Sequence, residues 1–129
     1  TGWASKSDGF YGDDGSKACD EYKMALYYQH MREWANENGI SLFFFEAFDE
    51  PWKDAKNPQG SENHFGMFNM QAQAKFAIWD LVDANTFKGL TRDGQVITKT
   101  YNGNLDSLIN DVKLPPYHEV VEQTINTIK

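Results

Sequence analysis

The chain has 129 residues, enough for one domain of ordinary size, and its 40% hydrophobic content allows a buried core and argues against a disordered chain. Twelve Lys and Arg against nineteen Asp and Glu give a net charge of −7, the wrong sign for binding a nucleic-acid backbone or an anionic membrane. The single Cys19 makes no internal disulfide, no Cys/His spacing suits zinc, and no apolar run approaches the roughly 20 residues of a membrane span.

Residues 1–15 are rich in Gly, Ser and Asp without apolar period and read as a loop. The chain opens on Thr1-Gly2-Trp3 with no signal-peptide pattern and no initiator Met, which suggests that something upstream has been removed. Asp14 or Ser16 is placed to cap a helix over 17–38, with Gly39 as its stop. Ala18, Tyr22, Ala25, Leu26, Met31, Trp34 and Ala35 recur mostly three or four apart and give that helix one broad apolar face. The run 40–47, Ile-Ser-Leu-Phe-Phe-Phe-Glu-Ala, has the length and composition of a strand buried on both faces, as in a parallel sheet.

A polar loop with two prolines follows over 49–63. The spacing of Ala74, Ile78 and Leu81 predicts a helix over 71–83. Residues 96–101 have strand composition after the turn signal Asp93-Gly94, and 105–112 suit a short helix. Pro115-Pro116 breaks the chain, and the tail 118–129 suits a helix or a strand equally. One buried strand cannot form a parallel sheet alone, so the pattern suggests a piece of a larger α/β domain.

Two stretches carry chemistry. One is Thr1-Gly2-Trp3-Ala4-Ser5. The other is the end of the apolar run and its loop, where Glu46, Asp49, Glu50, Lys53 and Glu62 fall within seventeen positions, among Phe48, Trp52 and Phe68. In barrel enzymes the ionisable residues just past a strand's C-terminal end face the active site. Carboxylates, a lysine and aromatic rings together suit a neutral sugar chain, the acids bonding hydroxyls and the rings covering apolar faces. A Glu-x-x-Lys pair such as Glu50 and Lys53 is more often a solvated surface pair. Glu46, inside an apolar run, needs a partner if it points inward or else sits near the rim.

These stretches resemble glycoside hydrolase family 17, the β-1,3- and β-1,3-1,4-glucanases, and above all its bacterial laminarin-degrading members. In that family the seventh strand ends in Glu-Thr-Gly-Trp-Pro-Ser, and its Glu is the nucleophile. Thr1-Gly2-Trp3-Ala4-Ser5 matches from the next residue, with Ala4 in place of the usual Pro. Phe48-Asp49-Glu50-Pro51-Trp52-Lys53 matches the family's Phe-Asp/Asn-Glu-x-x-Lys, and Glu62-Asn63-His64-Phe65-Gly66-Met67-Phe68 matches its Glu-x-x-Phe/Trp-Gly-Leu-Phe. The likeness covers about 1–83, and 89–116 is similar to a C-terminal extension of some bacterial members.

The resemblance implies an α/β fold: the C-terminal fragment of a (β/α)8 TIM barrel, comprising the end of strand 7, helix 7, strand 8 and helix 8 (1–88), plus an extension packed on the barrel (89–129). It implies part of a retaining hydrolase of β-1,3-glucan. Glu50, Lys53 and Glu62 would line the cleft, with Trp3, Phe48 and Phe68 shaping or stacking on sugar subsites. The nucleophile would stand just before Thr1 and the acid/base further upstream, so neither is present and this chain alone should be inactive. No cofactor and no metal are implied. The partners are a β-glucan polysaccharide or oligosaccharide, and either the missing N-terminal part of the barrel or a second copy. The substrate class implies an extracellular or periplasmic location. A non-catalytic carbohydrate-binding module is the alternative, disfavoured by the long helix because such modules are usually β-sandwiches. A Ca²⁺ or Mg²⁺ site at Asp8, Asp13, Asp14 and Asp20 lacks the EF-hand pattern.

Overall fold

The fold is seen in a computed structural model, which describes residues 1–7 and 17–113. The longest element is helix α1, Glu21–Glu37. It begins later than the sequence predicts because Asp20 is its cap: the Asp20 side chain accepts from the Lys23 N–H at 2.7 Å and pairs with the Lys23 ammonium. The predicted caps Asp14 and Ser16 lie outside the described residues. At the other end Gly39 adopts φ +62°, and the Ile40 N–H turns back to the Ala35 carbonyl at 2.9 Å.

Residues 40–47 are extended, yet they form no long ladder and are not buried on both faces. Leu42 and Phe44 are half-buried against the helix side, while Phe43 is 87% exposed and Phe45 is 46% exposed. The reason is pairing. On one edge Thr1 donates its N–H to the Phe43 carbonyl (2.8 Å) and accepts from the Phe45 N–H (2.6 Å), the pattern of a parallel bridge between Thr1 and Phe44. From Glu46 onward residues 65–68 take over, through Glu46 N–H to Phe65 (3.0 Å), Met67 N–H to Glu46 (2.9 Å) and Phe68 N–H to Ala47 (2.9 Å). Among the described residues nothing covers the Phe43 side. The Phe45–Glu46 peptide is cis.

The helix predicted over 71–83 is shorter. Asn69 Oδ1 accepts from the N–H groups of Gln71 (2.9 Å) and Gln73 (3.0 Å), and Ala72 takes φ +59°, so the chain turns instead of winding. Strand β1, Gln73–Ala74, follows, then a 3₁₀ turn at Phe76–Ile78 and helix α2, Trp79–Asp83. The Asp93-Gly94 signal makes a tight turn with φ +49° and +77°, joining β2 (Thr91–Arg92) to β3 (Gln95–Val96). Strand β4, Thr98–Lys99, returns to pair in parallel with β1. Helix α3, Leu105–Asn110, is capped by Asn104.

The core gathers Met24 of α1 with Met67, Ala74 and Ile78, flanked by Trp3, Tyr28, Phe44, Phe68 and Leu81. Gly66 sits where the two loops touch, and a Cβ there would run into the backbone of Phe48 and Asp49. Gly66→Ala should therefore lower the unfolding free energy by at least about 2 kcal/mol through overpacking. Gly39→Ala, with open space around it but a left-handed φ, should cost about 1 kcal/mol. Urea denaturation of the two variants checks the order; a smaller loss for Gly66→Ala would refute the close-approach reading.

Candidate functional site

Residues 45–53 and 61–66 meet at the end of the extended segment. Lys53 reaches back along the chain and places Nζ 2.8 Å from Glu46 Oε1 and 2.7 Å from Glu50 Oε2, with the Phe45 ring centroid 4.0 Å away. One ammonium is thus held by two carboxylates over an aromatic face, and Glu46 has the partner an inward carboxylate requires. The two acids are driven apart. Burial, with the neighbouring Glu50, raises the Glu46 carboxyl above its ordinary range despite the bond from Lys53. Hydrogen bonds from Lys53 and from Glu46 hold Glu50 below its own. Loss of water works against the Lys53 charge, but Glu46 and Glu50 outweigh it and raise the group.

Behind this trio lies a second, buried cluster. Lys75 is 3% exposed and donates to Asp49 Oδ1 (2.7 Å), Ser5 Oγ (2.8 Å) and the His64 carbonyl (3.4 Å). Asp49, 6% exposed, also accepts from the Gly66 N–H at 2.8 Å, and His64 Nδ1 stands 3.8 Å from its other oxygen. Burial opposes the Asp49 charge, but His64, Lys75 and the Gly66 N–H prevail and hold the carboxyl below its ordinary value of 3.8. For Lys75 burial wins, and its ammonium is pulled below the usual lysine range although Asp49 and Glu21 favour the charge. These opposite outcomes reflect depth: Lys75 is the deeper group, while Asp49 has three donors to satisfy it. Glu21, raised by burial, accepts from the Phe76 N–H (3.0 Å) and from Thr100 Oγ1 (2.6 Å). A cavity of about 470 Å³ opens beside the cluster, lined by Ser5, Glu21, Asp49, His64, Lys75 and Tyr101 among others.

Of the residues singled out from sequence, Glu50 and Lys53 are in direct contact. Glu62 is exposed on the 3₁₀ turn Ser61–Asn63, and no ion pair joins it to Lys53. The turn is stitched down by buried Asn63, which accepts from the Asp54 N–H (2.8 Å) and donates to the Asp54 (2.8 Å) and Asn57 (3.0 Å) carbonyls. Phe48 stacks on Phe68, centroids 5.3 Å apart, and carries the Arg92 guanidinium 3.6 Å from its centroid. Trp3 packs on Tyr27 at 5.1 Å and donates its Nε1–H to the Ala18 carbonyl at 2.9 Å. Trp52 is exposed. Lys75 and Glu21 escaped the sequence reading. The available signal was a lone lysine in the apolar run Ala74-Lys75-Phe76-Ala77-Ile78-Trp79.

No family model matches the chain. It is 34% identical over 83 residues to a glucan 1,3-beta-glucosidase of Arthroderma benhamiae, a match covering 59% of this chain and 25% of that protein. In structure it is similar to an endo-laminarinase from Formosa Hel1_33_131, with a TM-score of 0.85 and 63% identity over 90% of this chain and 30% of that one. At 63% identity the likeness is one of sequence as well as fold. The chain spans well under half the length of both relatives.

Two stability predictions follow from the buried pair. Asp49→Asn strands the Lys75 ammonium and should cost about 3–5 kcal/mol, whereas Asp49→Asn with Lys75→Met should recover most of that loss; chemical denaturation of the three proteins measures both. For pH the sign is fixed by the depressed folded value of Asp49. Its stabilisation is complete above the ordinary value of 3.8 and is lost as pH falls through the lower folded value. Denaturation curves between pH 5 and about pH 2 should show a loss of stability that the double variant lacks in part; identical acid limbs would remove Asp49 from the account.

Proposed function

We propose that this chain is the C-terminal part of a glycoside hydrolase of family 17, a (β/α)8 barrel that cleaves β-1,3-glucan of the laminarin type with retention. In this reading residues 1–88 belong to the barrel and 89–129 are a C-terminal extension of it. The observation that carries the reading is the Glu46–Lys53–Glu50 trio at the end of the extended segment, in a chain 63% identical to part of an endo-laminarinase. The parallel bridge between Thr1 and Phe44 supports it further, as neighbouring barrel strands pair this way. A residue preceding Thr1 would stand abreast of Phe43 and share the face of Phe43 and Phe45, over whose ring Lys53 lies.

A retaining glycosidase needs a nucleophile and an acid/base with carboxyls about 5–5.5 Å apart. We give neither role to Glu46, Glu50 or Glu62. The nucleophile is the glutamate expected before Thr1, and the acid/base lies further upstream. Glu50 and Lys53 line the cleft: the Lys53 ammonium orients the carboxylates beside it and favours the ionised form of Glu50. Glu62, exposed on its turn, is free to take a sugar hydroxyl. Trp3, Phe48 and Phe68, engaged with other side chains, shape the rim. The substrate is a β-glucan chain too large to be imported, so the enzyme acts outside the cell or in the periplasm.

The test is a chimera in which this chain replaces the matching segment of the laminarinase relative. It should release reducing ends from laminarin, and Lys53→Met or Glu50→Gln should lower kcat by roughly a hundredfold, the scale of a lost electrostatic contact in an active site. A folded chimera without activity, or one indifferent to both substitutions, would refute the assignment. Tight laminarin binding by the 129-residue chain alone would favour a non-catalytic binding module instead.

A further inference from the structure

We infer that Lys75 is the positioning residue of the cleft: its buried ammonium ties together the three segments that carry the cleft motifs and so sets where Glu50 and Lys53 stand. This inference rests on the glucan-cleft reading above. Ser5, bonded through Oγ, belongs to the 1–5 segment that runs beside Phe43–Phe45. Asp49, bonded through Oδ1, is the neighbour of Glu50 on the chain. His64, bonded through its carbonyl, follows Glu62 by two residues.

The segments also touch one another at this point. The Ser5 N–H donates to the His64 carbonyl at 2.9 Å, and the Gly66 N–H donates to the same Asp49 oxygen that faces Lys75. The root of Lys75 is fixed by its own backbone bonds. Its N–H donates to the Met67 carbonyl (2.9 Å), its own carbonyl accepts from Ile78 (3.0 Å), and the preceding Ala74 is paired with Lys99. An ammonium anchored just past strand β1, with acceptors in three separate segments, fixes relative position in a way that apolar contacts do not. Strands from different parts of a barrel must be held to within a fraction of an ångström for a cleft to work, and a misplacement of about 1 Å can cost a hundredfold in rate.

Glu46 and Glu50 report that geometry without any substrate. Lys53 interacts with both, Lys75 acts on Glu46 through its charge, and Asp49, His64 and Glu21 interact in turn with Lys75 or with one another. Carboxyl ¹³C NMR titration of the 129-residue chain reads the two groups separately, with Glu46 titrating above Glu50. In Asp49→Asn/Lys75→Met, which should stay folded, the two titrations should converge toward the ordinary glutamate value. Lys75→Arg should keep them apart, and Ser5→Ala, which removes one bond and no charge, should bring them part-way together even if the double variant fails to fold. Unchanged separation in a folded double variant, or in Ser5→Ala, would overturn the inference and leave Lys75 a purely stabilising residue.

In the laminarinase chimera the double variant should lose about tenfold or more in kcat with KM within about threefold. Unchanged kcat would overturn the inference as well. An inactive parent chimera would count against the glucan reading alone, because the titration still decides the role of Lys75.

Discussion

A single buried ammonium holds this structure's working end together. Lys75 sits where segments 70, 26 and 11 positions away in sequence converge, and it has an acceptor in each. A lysine so deeply buried would be severely destabilising without those acceptors, so the arrangement depends on all of them being present. Asp49 supplies the compensating charge, and the Gly66 N–H completes that carboxylate's bonding. Gly66 is glycine because the loop must pass directly against the backbone of Phe48 and Asp49. The core beneath is modest, with Met24, Met67, Ala74 and Ile78 at its centre, which gives the polar cluster a larger share in fixing the loops.

The geometry of the Glu46–Lys53–Glu50 trio follows from that scaffold. Asp49 is pinned inside, Glu50 next to it is half-buried, and Lys53, one short turn further on, folds back to bond both Glu50 and Glu46. The three charges and the Phe45 ring form one electrostatic unit in which one acid is pushed toward protonation and the other toward ionisation. Divergent environments for neighbouring carboxyls are a mark of functional sites. This divergence, with the likeness of the chain to part of an endo-laminarinase, is what the proposed function rests on.

Much of this was legible in the sequence where the signal is local. The apolar spacing of 17–38 marks α1, Gly39 marks its end, Asp93-Gly94 marks the hairpin, and the Glu50-x-x-Lys53 spacing brings that pair into contact. The miscalculations arise where a tertiary or side-chain interaction overrides a local pattern. Asn69 captures the backbone and forces a turn into what reads as a helix over 71–83, and Asp20 caps α1 so that the helix begins at Glu21, four residues after the predicted start at 17. Residues 40–47 have the composition of a doubly buried strand, but burial depends on neighbours: among the described residues α1 covers the Phe44 side, backbone pairing comes from Thr1 and residues 65–68, and nothing covers Phe43. Glu21 carries no local sign, and the lone Lys75 in its apolar run can be recognised as a buried anchor only once its distant partners are known.

The most direct measurement is ¹H–¹⁵N NMR of the lysine ammonium groups in the 129-residue chain at neutral pH. A Lys75 ammonium bonded to Asp49, Ser5 and His64 should give a slowly exchanging signal, protected from water, with a detectable coupling to the Asp49 carboxylate. An Lys75 signal that exchanges as fast as that of exposed Lys6 would contradict the account, since the three segments would then have no common anchor.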